Sequence, residues 1–453
     1  MPAGHKVLLL LVLAVLFSSA CTRKSEMIEI NAFSTGDKSR LTNLEKAAVL
    51  LNKSLEKENK KYRVKVNLNY GEKESKKDIK TQISDLKKNN LMPDIICIPS
   101  VSIPWFADNK FIVKMNKIKK SKYYEDAFPS LWDTVKYNGS IWGIFQDTEV
   151  RPMFINKNIL LKMGWKEEDI RILPDKIRRG LFTIDDMVNT AESAVNKGFA
   201  DYGIIHRPDS GVDFQIIYFA FGGRFLVEDG RIIINENALS KMFDFFSEIT
   251  ANNLIPKNQT TMKTEETYLA AINGKVLFYF GGIWHVNRWT LKPFHEKLGT
   301  IDSPWISLNF LLSLYPTGVK GQNPLTLSKS YAYCISSATD KKEIIYRLLD
   351  VVTDPAIQAE YNLDTYHLPI TVRGMEHPDY RSDVIMGDVV YMLDYTTTVP
   401  IHSAYEMYEV ELYEAIRQIE TKKDSKENIQ TAFEKKISEK SNGKIVFRKE
   451  GNK

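Results

Sequence analysis

Cysteine and histidine are scarce in this 453-residue chain, which has three cysteines and seven histidines. Beyond Cys21, only Cys97 and Cys334 occur. Both lie in apolar stretches typical of strands, 94–98 and 331–336, so we interpret them as buried thiols, although a disulfide between them stays open outside the cytoplasm. No cluster of His and Cys supports a zinc site, and we expect neither a metal nor a cofactor.

Long apolar runs are lacking beyond the N-terminus. Residues 7–17 form one unbroken run after Lys6 and before the small residues 18–20, which is typical of a signal peptide and too short for a stable membrane span. Cys21 follows directly and resembles the cysteine of a bacterial lipobox, although Ser18 stands where leucine is usual. We predict a signal peptide over 1–20, a lipidated tether over 21–27, and a chain anchored to the cell membrane by lipid alone, facing the periplasm or extracellular space. A plain cleaved signal is the alternative.

A strong excess of charge of one sign is also missing. The chain has 62 basic and 57 acidic side chains, a net charge of +5, and the lysines lie scattered along predicted solvated helix faces. Nucleic acid is therefore not an expected partner. The motifs G-x-S-x-G, H-E-x-x-H and the P-loop are absent. We predict that the protein is not an enzyme, while a carbohydrate hydrolase stays open because paired carboxylates meet only in the fold.

What is present is an alternation of strands and helices. Residues 27–33 read as a strand, a helix follows with Thr42 and Glu45 as a capping box, and 62–70 alternates as a second strand. A polar helix at 76–89 and an apolar strand at 94–98 complete a strand–helix–strand–helix–strand unit. This order predicts an α/β fold with a parallel sheet, whose ligands bind beyond the carboxyl ends of the strands, here at 34–38 and 99–104.

Further signals follow along the chain. The pair 222–223 is typical of a left-handed helix end, and 228–230 of a tight turn between strands. Apolar strands are predicted at 276–280 and 331–335, mainly helices from 341 on, and a frayed charged tail beyond Ser441.

Seven short motifs in this order resemble those of one protein family. They are Gly36-Asp37-Lys38, Pro93-Asp94-Ile95-Ile96, Tyr137-Asn138-Gly139-Ser140-Ile141-Trp142-Gly143-Ile144, Phe154-Ile155-Asn156-Lys157, Gly222-Gly223, Gly274-Lys275 with Gly282-x-Trp284, and Ile335-Ser336-Ser337 with Thr353-Asp354-Pro355. Together they resemble family 1 of the bacterial extracellular solute-binding proteins, which includes maltose-binding protein. The resemblance runs from about residue 28 to 437.

The resemblance implies two α/β lobes, each a mainly parallel sheet flanked by helices, that close by a hinge on a ligand between them. Lobe 1 is expected at 28–147 plus 278–330, and lobe 2 at 148–277 plus 331–453. The implied function is to bind a carbohydrate, a mono- or oligosaccharide, and deliver it as a monomer to the permease subunits of an ABC importer. A polyamine, a ferric ion or a phosphorylated sugar is the alternative cargo.

The resemblance also implies site residues. Gly282 would let the backbone approach the ligand, because it has no side chain. Trp284, which follows it, would be an aromatic platform for a sugar ring, with a buried core residue as the alternative. Asp37 and Lys38 would bind sugar hydroxyls, or else form a solvated turn. Glu149 would be a carboxylate near the hinge, or else a surface charge.

Three further candidates are weaker. Tyr405 would supply another aromatic ring, or else pack in the core as part of a helix face. Asp213 would lie near the ligand, or else cap a helix or pack. Ser100 stands where maltodextrin binders place an aromatic, with Trp105 further on, so the floor of the pocket differs and the cargo need not be a maltodextrin.

Overall fold

The computed structural model describes residues 26–71, 78–291 and 299–449. The predicted signal peptide, Cys21 and nearly all of the tether lie outside the described residues. Within the part described, no helix combines the length and the apolarity that crossing a bilayer requires.

The strands follow one another along the whole chain. They are β1 Glu26–Ser34, β2 Tyr62–Tyr70, β3 Ile95–Pro99, β4 Lys136–Tyr137, β5 Ser140–Ile141, β6 Ile144–Phe145, β7 Met153–Asn156, β8 Tyr202–Ile205, β9 Leu226–Glu228, β10 Arg231–Asn235, β11 Val276–Phe280, β12 Phe310–Ser313, β13 Thr326–Ser328, β14 Tyr331–Ile335, β15 Thr396–Thr398 and β16 Ile445–Arg448.

The helices lie between these strands and dominate the C-terminal third. They are α1 Thr42–Lys57, α2 Ile79–Lys88, α3 Ile103–Asp108, α4 Lys157–Lys162, α5 Glu167–Arg171, α6 Leu173–Arg178, α7 Ile184–Asn196, α8 Phe214–Ala220, α9 Glu236–Ala251, α10 Thr264–Ile272, α11 His285–Trp289, α12 Ser303–Asn309, α13 Lys342–Val351, α14 Pro355–Thr365, α15 Val372–Met375, α16 Pro378–Ser382, α17 Val384–Val389, α18 Tyr405–Glu420 and α19 Lys426–Lys440.

The first sheet, of lobe 1, has the order β2-β1-β3-β14-β6. Strand β1 pairs in parallel with both β2 and β3, as the alternation of strands and helices predicts, and β14 and β6 pair antiparallel. The predicted capping box at Thr42 is wrong, because the Thr42 hydroxyl donates to the Ser39 carbonyl at 2.9 Å. A short 3-10 turn, Lys38–Leu41, precedes α1 instead, and Asp37 caps it by accepting from the Ser39 amide.

The second sheet, of lobe 2, has the order β12-β7-β11-β8, with β11 parallel to β8. A hairpin joins β9 to β10 through Asp229 and Gly230, whose φ angles of 49° and 72° are the left-handed values that such a tight turn requires. The predicted fraying beyond Ser441 is wrong, because β16 pairs in parallel with β10.

The lobe assignments differ from the prediction in part of each second segment, whereas the end of the chain lies in lobe 2 as predicted, since β16 pairs with β10. Strands β11 and β12 belong to the sheet of lobe 2, although 278–330 was assigned to lobe 1. Strand β14 belongs to the sheet of lobe 1, although 331–453 was assigned to lobe 2. An apolar strand fits either sheet by its local pattern, so the sequence does not reveal which edge it joins.

The register of β3 and β14 decides the state of the two cysteines. Cys97 lies opposite Tyr333, and Cys334 lies opposite Ile96. Since neighbouring residues on a strand point to opposite faces of a sheet, the two thiols lie on different faces. Both thiols are free and buried, which confirms the prediction of buried thiols. Burial raises the pKa of each thiol.

Three segments cross between the lobes, at 146–152, 314–330 and 366–371, and they bond to one another. Thr148 exchanges two backbone hydrogen bonds with Leu368, at 3.0 and 2.8 Å. Its hydroxyl lies 2.9 Å from that of Ser328, so a single threonine joins all three segments. The buried apolar side chains form two clusters, one around each sheet.

Candidate functional site

A polar cavity of about 610 Å³ lies between the lobes, bounded by the carboxyl end of β1, the segment after β11 and the crossing segments. We call it the cleft. Its lining residues are Asp37, Ser39, Arg40, Glu149, Arg151, Tyr268, Trp284, Asn287, Arg288, Leu291, Lys329, Tyr331, Asp364, Thr365 and His367. Three of the predicted residues, Asp37, Glu149 and Trp284, are therefore brought together at one site.

Trp284 is the predicted aromatic group of the cleft, whose lining also includes the rings of Tyr268 and Tyr331. It is the N-cap residue directly before the short helix α11 and is half-buried. A Cβ atom at Gly282 would lie only 1.9 Å from the Trp284 ring, so glycine there lets the ring fold back against the backbone. Gly282 thus positions the tryptophan and does not itself line the cleft. The guanidinium of Arg151 lies 4.6 Å from the ring centroid, and the His367 ring lies 6.0 Å away and nearly parallel.

Glu149 and Arg151 lie on the first crossing segment and begin a chain of buried charges. Arg151 bonds to both Glu149 and Asp213. Arg207 bonds to the other oxygen of Asp213 at 2.6 Å. Burial alone would raise the pKa of Asp213, but the two guanidinium groups outweigh it and hold that pKa well below its usual range. Asp213 lies behind Arg151 and lines a smaller adjoining cavity of about 100 Å³.

Asp37 bridges the two lobes. It follows β1 in lobe 1, accepts from the Ser39 amide at 3.0 Å, and forms an ion pair with Arg288 on α11 of lobe 2. Burial opposes its ionisation, but the Ser39 amide and Arg288 lower the pKa of Asp37 to about 2. Arg288 was missed from the sequence, although its position four residues after Trp284 places both on one face of a helix.

A third charged group lies on the lobe 1 side and was also missed. Arg40 donates to Asp147 at 3.2 Å and covers the Tyr331 ring at 3.7 Å. The Tyr361 hydroxyl donates to the same Asp147 oxygen at 2.8 Å. Burial, together with Arg40, lowers the pKa of His367 to about 3, so its imidazole is neutral at ordinary pH.

Three predicted residues lie away from the cleft. Lys38 is exposed, and its carbonyl accepts from the Tyr70 hydroxyl at 2.8 Å. Ser100 is buried, and its amide donates to the Ser330 carbonyl at 3.0 Å. Tyr405 is fully buried in lobe 2, where its ring packs edge-on against Phe225 at 5.7 Å.

Two α/β lobes, three crossing segments and a polar cleft between the lobes define a bilobal ligand-binding protein. Residues 51–387 match the family model of the bacterial extracellular solute-binding proteins, and the chain belongs to that family. The family resemblance and the two-lobe α/β fold predicted from the motifs are thereby confirmed. A comparison with curated protein sequences gives no match.

Several solved structures share the fold. The sugar-binding protein MalE from Xanthomonas citri has a TM-score of 0.72 at 17% identity, over 91% of this chain and 97% of its own. The cyclic alpha-maltosyl-1,6-maltose binding protein from Arthrobacter globiformis has 0.71 at 15% identity, over 91% and 98%. Maltose-bound MalE3 from T. maritima has 0.70 at 16% identity, over 90% and 99%.

Proposed function

We propose that this protein binds a carbohydrate in the cleft and delivers it to the permease subunits of an ABC importer without chemical change. The observation that carries the proposal is Trp284, a half-buried ring in a cleft lined mostly by polar and charged side chains. A sugar presents an apolar C–H face to such a ring and its hydroxyls to the groups around it. The sugar-binding proteins that share the fold support the same cargo.

The surrounding charges favour a neutral polyhydroxylated ligand over a charged one. Arg288, Arg40 and Lys329 already face Asp37, Asp147 and Glu409, respectively. Such paired groups still offer donors and acceptors to hydroxyls, and hydrogen bonds to charged groups are stronger than neutral ones. A polyamine or a phosphorylated sugar would have to compete with these ion pairs.

The two-lobe fold supports delivery of the ligand by closure of the lobes. The three crossing segments permit the lobes to rotate about a hinge, and a ligand that contacts both lobes stabilises the closed form. The Asp37–Arg288 ion pair, which joins the lobes directly, supports a closed arrangement of the kind described here.

A thermal-shift screen over maltose, maltotriose, tagatose, spermidine, ferric citrate and glucose 6-phosphate tests the cargo. At a hundredfold excess over the dissociation constant, a ligand that binds only the folded state stabilises it by about 2.7 kcal/mol. We expect a shift with a neutral sugar, confirmed by calorimetric titration. A shift with spermidine, ferric citrate or the phosphate ester alone would contradict the proposal, and cleavage products seen by mass spectrometry would favour the hydrolase.

We further propose that lipid on Cys21 holds the protein at the membrane after signal cleavage. The small residues before Cys21 and the apolar run before them support this. Expressed in a bacterial host, a Cys21→Ala variant should leave the membrane fraction. An unchanged membrane fraction for this variant would show that the anchor is wrong.

A further inference from the structure

One edge of lobe 1, remote from the cleft, is rich in lysine. Residues 109–124 contain six lysines and no acidic residue, although along the whole chain the lysines are scattered. The segment runs along one edge of the first sheet. The Val113 amide donates to the Ile335 carbonyl at 3.0 Å, and the Met115 amide donates to the Ile141 carbonyl at 2.7 Å. Ile335 ends β14 opposite Ile95, the first residue of β3, so the segment lies at the amino ends of the parallel strands.

Other lysines reach the same edge from neighbouring elements. Helix α1 ends at Lys57 just before β2, and the Lys61 carbonyl accepts from the Glu26 amide at 2.9 Å. The ammonium group of Lys87, near the end of α2, lies 4.3 Å from the ring centroid of Phe111. We define the basic edge by six exposed lysines, Lys60, Lys61, Lys87, Lys114, Lys119 and Lys120.

Acidic side chains at this edge do not cancel its charge. Glu58 is paired with Arg347, Asp85 lies 3.7 Å from Lys88, and Glu343 lies 2.5 Å from Lys117. The exposed acids Glu26, Glu56 and Asp340 also lie on this side of the lobe, and the exposed Asp108 and Glu125 flank the segment 109–124. The six lysines outnumber these five acids.

The chain enters lobe 1 at the same edge. Glu26 begins β1, and Cys21 precedes it by five residues, which span at most about 18 Å at about 3.6 Å per residue. If Cys21 carries lipid, which is part of the proposed function, the basic edge lies at the bilayer surface. Electrostatic attraction at physiological salt acts over a Debye length of about 8 Å, so the lysines of the basic edge must contact the headgroups directly. The short distance from Cys21 to the basic edge permits this contact.

We propose that the basic edge of lobe 1 docks on anionic phospholipid headgroups and acts together with the lipid anchor. A lipid chain and a polybasic surface are complementary signals, because each alone binds a membrane weakly. The cleft lies at the opposite, carboxyl edge of the sheet, about 30 Å away along the nine residues of β1. In the docked protein the cleft therefore faces the solution. This orientation serves the capture of ligand, and the protein gives it up when it delivers the ligand.

The test uses the chain from Cys21 with Cys21→Ser, so that only the protein surface contacts lipid; every described element begins at or after Glu26 and is retained. It is sedimented with vesicles of phosphatidylglycerol and phosphatidylcholine in equal parts, or of phosphatidylcholine alone. We expect binding to the anionic vesicles only, with loss at high salt. Each basic residue near an anionic surface contributes about fivefold. The triple variant Lys114→Gln/Lys119→Gln/Lys120→Gln should therefore bind roughly a hundredfold more weakly.

The matched control is Lys197→Gln/Lys241→Gln/Lys257→Gln, which removes the same charge from exposed lysines of lobe 2. It should bind anionic vesicles like the parent. Equal losses of vesicle binding in both triple variants, or no binding of the parent to anionic vesicles, would overturn the proposal. Binding only to vesicles of phosphatidylcholine that contain the reconstituted permease would also overturn it and would assign the basic edge to a protein partner. Sugar titration of the same variants separates the two proposals, because loss of sugar binding bears on the cleft alone.

Discussion

The role of Trp284 is testable against a second tryptophan, Trp289, at the end of the helix that Trp284 precedes. Trp284 is half-buried in the cleft, whereas Trp289 is fully buried, with its ring 4.8 Å from that of Phe154. Truncating a central aromatic anchor of a binding site costs about 2 kcal/mol or more. Trp284→Ala should therefore weaken sugar binding by roughly thirtyfold. Trp284→Phe should recover much of that loss, because a flat ring remains.

Stability should respond in the opposite pattern. Trp284→Ala removes the contact of the ring with the Arg151 guanidinium, which is worth about 0.5–2 kcal/mol, and otherwise leaves open space in a cleft. Trp289→Ala opens a cavity in the core of lobe 2 and should cost about 3–5 kcal/mol. Calorimetric titration and thermal melting of both variants measure the two effects. A large fall in melting temperature for Trp284→Ala, with unchanged affinity of the molecules that remain folded, would refute its role as a platform.

Three further outcomes are expected. Small-angle scattering should give a smaller radius of gyration with a saturating sugar, and an unchanged profile with a sugar shown to bind would contradict hinge closure. Arg288→Gln and Asp37→Asn should each shift the lobes toward the open form, because each removes an ion pair between the lobes that contributes about 0.2–1 kcal/mol. Distances between spin labels on the two lobes measure the shift. Unequal shifts in the two variants would argue against a role of this ion pair in closure. Both ring nitrogens of His206 face acceptors, Glu420 at 2.6 Å and a carbonyl at 2.7 Å; burial lowers the pKa of His206, but Glu420 outweighs it and the pKa is raised. The stabilisation from the His206–Glu420 pair should be complete below pH about 6.5 and should disappear as the pH rises through the raised pKa of His206. The difference in melting temperature between the parent and Glu420→Gln should therefore shrink with rising pH. A difference that stays constant with pH would contradict this role of the pair.

The elements that the sequence predicts well are those with a strong local pattern. The alternation in 62–70 matches β2 residue for residue, and the glycine pair 222–223 ends α8 with Gly222 at a φ of 86°. Elements that depend on distant partners were mispredicted or misassigned. Strand β16 exists because it pairs with β10, some two hundred residues earlier, and a short charged segment carries no sign of that partner.

The candidate site shows the same division. Trp284 and Glu149 were found because the motifs around them resemble a known pattern. Arg288 and His367 were not found, since each becomes a cleft residue only when lobe 2 or the third crossing segment is folded against lobe 1. Tyr405 fits the spacing of a helix face equally well as a core or a site residue, and only its burial separates the two interpretations.

The bonds that Thr148 makes to both other crossing segments restrict how the lobes move. A single connecting segment would let one lobe twist and slide against the other, but we expect three segments bonded to one another to bend about one axis and to resist torsion. We therefore expect the relative motion of the lobes to approach a rotation about one axis. On closure we expect Asp37 to meet the same turn of α11, where it pairs with Arg288, so that the two lobes close in a single register.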